Sequence, residues 1–236
     1  MQEHGHSQAE IEARIGTADG HGILRDTIYG AIDGAVTTFA IVAGVAGAGF
    51  SPFVIVALGL ANVLADGFSM AAGNYSGTKA EQDNLRRLRR VEERHIAINP
   101  EGERRELRQI LRLKGLTGEV LEQATDDIAR HQDRWIEMMM EGEYGISGIA
   151  PHPMRGALAT FAAFLVAGMI PLIPFLIGME KAFLLSSVAT MVVFFAIGAA
   201  KSRWSLAPWW RSGLETLVIG GAAAALAFWV GSMFHA

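Results

Sequence analysis

There is no cysteine in the 236 residues of this chain. Disulfides and thiolate metal ligands are therefore excluded, and cysteine usage carries no information about redox compartment. Charge is also scarce, at 19% of residues with a net of −4, and that balance gives no hint of nucleic-acid binding. Nor does the first stretch read as a secretory signal peptide. Residues 1–24 are polar and contain no apolar run. His4, His6 and His21 lie in this stretch, but "MQEHGHSQAE" has no core-forming pattern and reads as a disordered tail rather than a metal site.

What the chain does have is apolar length. Hydrophobic residues make up 51% of it and the mean hydropathy is +0.28, too apolar for an ordinary soluble domain. Five segments approach the roughly 20 residues that a bilayer requires. They run at about 27–49, 52–76, 155–177, 181–200 and 213–234. The segments before span 1, between spans 2 and 3, and between spans 4 and 5 hold 18 of the 20 Lys and Arg; the other two, Arg155 and Lys181, stand at the first positions of spans 3 and 4. The positive-inside rule then predicts a cytoplasmic N-terminus and middle segment, and a C-terminus outside. Trp204, Trp209 and Trp210 in "RWSLAPWWR" fit an interfacial aromatic belt.

The expected organisation is a polar tail at 1–24, spans 1 and 2 within 25–76, a charged helical domain at 77–153, and spans 3 to 5 within 154–236. The charged domain reads as three helices. The first, about 77–96, continues span 2, because no Pro or Gly intervenes between Thr78 and Ile98. The second starts at the N-cap Asn99, with Pro100 in the first helical position, and stops at Gly115. The third, about 117–143, starts at Thr117 and ends near Gly145. Five spans leave little protein to line a path for ions, so the reading includes a homodimer with the path at its interface.

Ionisable and polar residues inside a bilayer are costly and mark function. Span 1 carries Asp33. Span 2 carries Asn62, Asp66, Met70 and Asn74, spaced four apart and so on one face of a helix. A carboxylate and an amide oxygen are hard ligands and a thioether is a soft one; the mixture suits a borderline divalent ion such as Fe²⁺ better than Mg²⁺, Na⁺ or K⁺. Gly30, Gly34, Gly67 and Gly73, with Ala65, Ala71 and Ala72, predict a close approach of spans 1 and 2. In the charged domain, Glu92 and His95 share a helix face, as do Glu103 and Glu106, and Glu143 follows Met139 and Met140 by four and three residues. Three short helices can direct these groups into one centre.

These residues resemble a known group. "IDGAVTTFAIVAG", "GFSMAAGNYSGTKAE" and "WIEMMMEGEYG" are similar to the vacuolar iron transporter family, and the likeness runs from about Arg25 to the C-terminus. It implies a homodimer of five-span protomers, with a cytosolic three-helix metal-binding domain between spans 2 and 3, that moves Fe²⁺ or Mn²⁺ out of the cytosol against protons. By the same resemblance, Asp33 and Met70 form the transport site, and Glu92, Glu103, Glu106, Met139, Met140 and Glu143 the cytosolic set. Two positions depart from the plant pattern. Asn62 and His95 both stand where plant members have glutamate. Asp66, one turn from Asn62, is read from its position alone as the replacement charge.

The expectation is thus an all-α membrane transporter with Asp33, Asn62, Asp66 and Met70 along its path. Fe²⁺ is its cargo, protons are the counter-ion, and no organic cofactor is involved. The membrane would be the plasma membrane of a prokaryote, or a vacuolar membrane in a eukaryote. Three rivals stand beside it: a Mn²⁺ exporter of the same mechanism, a membrane-anchored metal sensor, and a di-iron oxidase suggested by Glu92-x-x-His95. The oxidase requires a second such unit and a fourth helix.

Overall fold

A computed structural model describes residues 7–14, 21–146 and 151–234. His4 and His6 lie outside them. All the regular structure among the described residues is helical. The chain divides into two compact units, one made of the residues up to Ser76 together with those from Pro153 onward, the other of Gly77–His152.

The first unit holds a short helix α1 (Gln8–Arg14), α2 (His21–Gly47), the apolar part of α3 (Pro52–Ile98), α7 (Pro153–Met169), α8 (Ile173–Leu176), α9 (Ala182–Lys201) and α10 (Trp209–Ser232). Five helical segments are long and apolar enough to cross a membrane: Gly22–Gly47, Pro52–Ile98, Pro153–Leu176, Ala182–Trp204 and Trp209–Ser232. Large apolar side chains project outward from them, among them Phe53, Leu64, Phe68 and Val166. A soluble surface hides such residues; a lipid-facing one requires them.

The third span is not one regular helix. Pro171 and Pro174 supply no amide proton, and α7 tightens into a 3₁₀ turn at Ile170–Leu172 before α8. Ser186 of α9 donates to the Pro171 carbonyl at 2.7 Å. Span 1, α2, is the central element and packs against α7, α9 and α10. A buried cluster of Phe39, Val42, Ala43, Ile55, Val63 and Leu172 ties α2 to α3 and the α7–α8 turn.

The glycine expectation needs correcting. Added Cβ atoms at Gly30 and Gly34 would strike the backbone of Thr160 and Phe164, both on α7. Gly67 meets the rings of Phe161 and Phe164, also on α7, and Gly73 meets nothing within 4 Å. The close backbone approach is between spans 1 and 3, not spans 1 and 2. Small residues announce that some helix comes close; they do not say which.

In the second unit, α3 runs unbroken through Gly77 to Ile98, and α4 (Pro100–Leu113), α5 (Gly118–Ala129) and α6 (Gln132–Tyr144) follow. Asn99 caps α4 by accepting from the Gly102 amide at 3.1 Å. Gly115 takes φ +98 at the turn after α4, and Gly145 ends α6 in the left-handed conformation. The stretch expected as one helix over 117–143 is two. It breaks at Arg130–His131, where the His131 amide bonds back to Ile128 and the chain turns extended. A straight helix would lay only half of its apolar face on the 14-residue α4. The corner lets Leu121 of α5 and Trp135 and Met139 of α6 all pack around Leu107, Ile110 and Leu111.

Candidate metal and transport sites

The Gly77–His152 unit brings Glu92, His95 and Glu103 together. One ligand atom of each lies within 4.8 Å of the others. His95 and Glu103 are contributed across the α3–α4 corner, with Nδ1 and Oε1 at 3.6 Å. Glu92 is fully buried and Glu103 nearly so, while His95 is exposed. Glu92 Oε1 accepts a hydrogen bond from the Tyr144 hydroxyl at 2.8 Å. The Oε2 atoms of Glu92 and Glu103 are buried and have no partner. Buried carboxylate oxygens left unpaired cost several kcal/mol each, and a bound cation removes that cost.

Glu106 and Glu143 are exposed and lie close enough to act on the pair electrostatically. Burial raises the pKa of Glu103 above 4.5, and repulsion from Glu106, Glu92 and Glu143 adds to it, with His95 opposing. Glu143 is raised for the same reasons, burial first and then Glu92 and Glu106. Burial, followed by the bond to Glu92, pushes the Tyr144 phenol up, so it stays a donor. The five groups expected from spacing are thus electrostatic neighbours. Met139 and Met140 sit in apolar packing, Met139 with Leu107 and Trp135, Met140 with Leu88 and Ile136.

Tyr144 was not singled out in the sequence. A signal was available: it lies four residues after Met140 and eight after Ile136, on the buried face of α6.

In the first unit, the four-residue stripe of α3 has a polar counterpart on α2, running antiparallel. Asn62 Nδ2 lies 3.3 Å from Thr37 Oγ1 and 3.4 Å from Thr38 Oγ1. Asp66 is the electrostatic neighbour of Asp33. Met70 and Asn74 line one cavity with Asp26 and Tyr29, and Asn74 donates to Thr160 of α7 at 2.7 Å. Both Asp33 and Asp66 are half-buried, and among the described residues neither has an ion pair. Asp26, buried to 8% exposure, was also missed. Its signal is the seven-residue step to Asp33, two turns on the same face; a span read from residue 27 left it outside.

The profile of the VIT family matches residues 24–232, almost the whole chain. The chain belongs to the VIT family. Members of this family are transporters rather than enzymes, which disposes of the di-iron oxidase. Several relatives carry the name vacuolar iron transporter. The one from Arabidopsis thaliana, vacuolar iron transporter 1, is 32% identical over 211 residues, covering 87% of this chain and 84% of its own. Vacuolar iron transporter 1 of Oryza sativa subsp. japonica is 31% identical, with 87% and 83% covered. The Toxoplasma gondii protein is 32% identical over 224 residues, with 90% and 74% covered. This VIT family chain is therefore a membrane-spanning transporter protein.

Proposed function

We propose that this chain exports Fe²⁺ from the cytoplasm in exchange for protons. The observation that carries the reading is the pairing of Asp33 with Asp66 on two membrane-spanning helices, with no cation beside either among the described residues. Two like charges in a medium of low dielectric demand a positive partner, and a site that alternates between a metal ion and protons supplies one in both states. The relatives' names support iron as the cargo.

In this reading Gly77–His152 is a cytosolic metal-binding domain. Glu92, His95 and Glu103 capture the ion, and Glu106, Glu143 and the thioethers of Met139 and Met140 complete the set. The ion then passes to Asp33, Asp66 and Met70, with Asn62 further along. Protons arriving from outside neutralise Asp33 and release the metal. The working form is a homodimer in the lipid bilayer, with the path at its interface. The N-terminus faces the cytoplasm and the C-terminus the outside, in a prokaryotic plasma membrane or a eukaryotic vacuole.

Fe²⁺ uptake into proteoliposomes, with and without a pH gradient, tests this. Uptake should depend on the gradient; equal uptake in both removes the antiport. The second reading, Mn²⁺ as cargo, draws on the number of carboxylates in both sites, which suit Mn²⁺. Competition between the two ions in the same vesicles decides between them.

A further inference from the structure

The turn that joins α9 to α10 gathers Lys201, Arg203 and Arg211 with three tryptophans. Because it links two membrane-spanning helices, it lies at a membrane surface whichever way the chain is inserted. The two helices touch beside it. A Cβ on Gly198 of α9 would strike the Ser212 carbonyl and come within 2.8 Å of the Gly213 Cα. Phe195 of α9 meets Trp209 of α10 edge to face, with ring centroids 5.8 Å apart. Lys201 follows Gly198 by three residues and Arg211 precedes Ser212, so both cations sit at one end of this hairpin. Arg203 stands between them, in the 3₁₀ turn Ser202–Trp204. No Asp or Glu occurs between Glu180 and Glu215. Among the described residues, none of the three cations forms an ion pair, and Glu215, one turn past Arg211, pairs with none of them. In the other unit Arg89, Arg104, Arg108 and Lys114 each meet a carboxylate. Around the cations, Trp204, Trp209 and Trp210 are each more than half exposed, and Leu206 is 98% exposed.

We propose that residues 201–211 form a recognition site for anionic phospholipid. Three cations with no acid of their own need a counter-charge from outside the chain. At a membrane surface the abundant one is the lipid phosphate. A phosphocholine headgroup brings its own cation, whereas an anionic headgroup leaves its phosphate to the protein. The guanidinium forks of Arg203 and Arg211 can grip phosphate oxygens in pairs, and Lys201 adds a point charge. Indole rings settle at the headgroup level, and the exposed Leu206 reaches into the acyl boundary below it. A soluble acidic partner would use the cations and leave the exposed indoles and Leu206 in water. The proposal uses no residue of the metal or transport sites and holds whatever the cargo.

Its test uses the indoles already in place. The full chain, carrying Trp229→Phe, is reconstituted in phosphatidylcholine bilayers. Trp135 is buried in the other unit, so quenching by lipid reports on the turn. Brominated phosphatidylglycerol and brominated phosphatidylcholine are then compared as quenchers at equal mole fraction. Each basic residue near an anionic surface contributes about fivefold to association. The expected result is a preference for phosphatidylglycerol of about tenfold or more at low salt, falling as salt rises. In Lys201→Gln/Arg203→Gln/Arg211→Gln the preference should fall to about one while phosphatidylcholine still quenches. In Lys201→Arg/Arg203→Lys/Arg211→Lys, which keeps the charge, it should persist.

Equal quenching by the two lipids overturns the proposal, and so does a preference that survives the glutamine variant. Quenching by neither lipid shows that a protein surface covers the turn and overturns it too. If the glutamine variant does not fold, the salt series on the Trp229→Phe chain decides, and a preference unmoved by salt overturns the proposal. Glycerol 3-phosphate, at an ionic strength matched with chloride, should displace no more phosphatidylglycerol than chloride does. Displacement by it alone would make the turn a site for soluble phosphate and overturn the assignment to lipid.

Discussion

Tyr144 donates its hydroxyl to Glu92 Oε1 at 2.8 Å, and the other oxygen of the same carboxylate is buried with no partner. One oxygen is fixed so that the second is held in place for a ligand. Partners that orient a ligand in this way are worth about 10–100-fold in metal affinity. Tyr144→Phe should lower Mn²⁺ affinity of the purified full chain within that range, read by calorimetric titration, while the helical content stays as it is. An unchanged affinity would leave Tyr144 as packing only.

The raised carboxyls set a pH dependence. Glu103 and Glu143 both have pKa values above 4.5 in the folded, metal-free chain. Between the ordinary and the raised values the folded chain holds more protons than the unfolded one. Its stability therefore falls as pH rises through that window. A metal binds the deprotonated groups, so metal-induced stabilisation should grow through the same window. Melting curves in detergent with and without Mn²⁺, from pH 4 to about 7, check both signs.

Neutralising one buried carboxylate separates its cost from its use. Glu103→Gln removes a charge that burial and three neighbouring glutamates oppose. The metal-free chain should become more stable at neutral pH, read as a higher melting temperature. The Mn²⁺-dependent rise in melting temperature should largely disappear.

His95 tests selectivity. Imidazole favours Fe²⁺ over harder ions, and carboxylate favours Mn²⁺. His95→Glu should shift the metal content of the purified protein from iron toward manganese. An identical ratio in both proteins would place His95 outside the ligand set.

The corrected span packing gives a paired test. Gly34→Ala drives a methyl into the Phe164 backbone, at 2.5 Å from its carbonyl oxygen, whereas Gly73→Ala meets open space. The first should destabilise by about 1–3 kcal/mol and the second should be close to neutral. Thermal unfolding in detergent compares them.

The five spans were legible because membrane thickness imposes a length that composition reveals directly. Asn99, Gly115 and Gly145 were legible because caps and left-handed turns need particular residues. The corner at Arg130–His131 was not. Leu121, Thr125, Ile128, Gln132, Trp135 and Met139 keep one heptad phase across it, and neither Pro nor Gly marks the break. What bends the chain is the short α4 that both halves must cover, a tertiary demand with no local signature. The same holds for Gly30 and Gly34, whose partner is chosen by the whole bundle. In the metal cluster, helical spacing placed Glu92 beside His95 and Glu103 beside Glu106; that the two pairs meet across the Asn99 corner is a property of the turn.

The most direct test of the central claim is proton movement itself. Proteoliposomes carrying a pH-sensitive dye in the lumen are given external Fe²⁺, and metal uptake and lumenal pH are followed together. The account predicts that protons leave the lumen as Fe²⁺ enters, and that both movements stop in Asp33→Ala. Iron uptake with no proton movement in the opposite direction would contradict it.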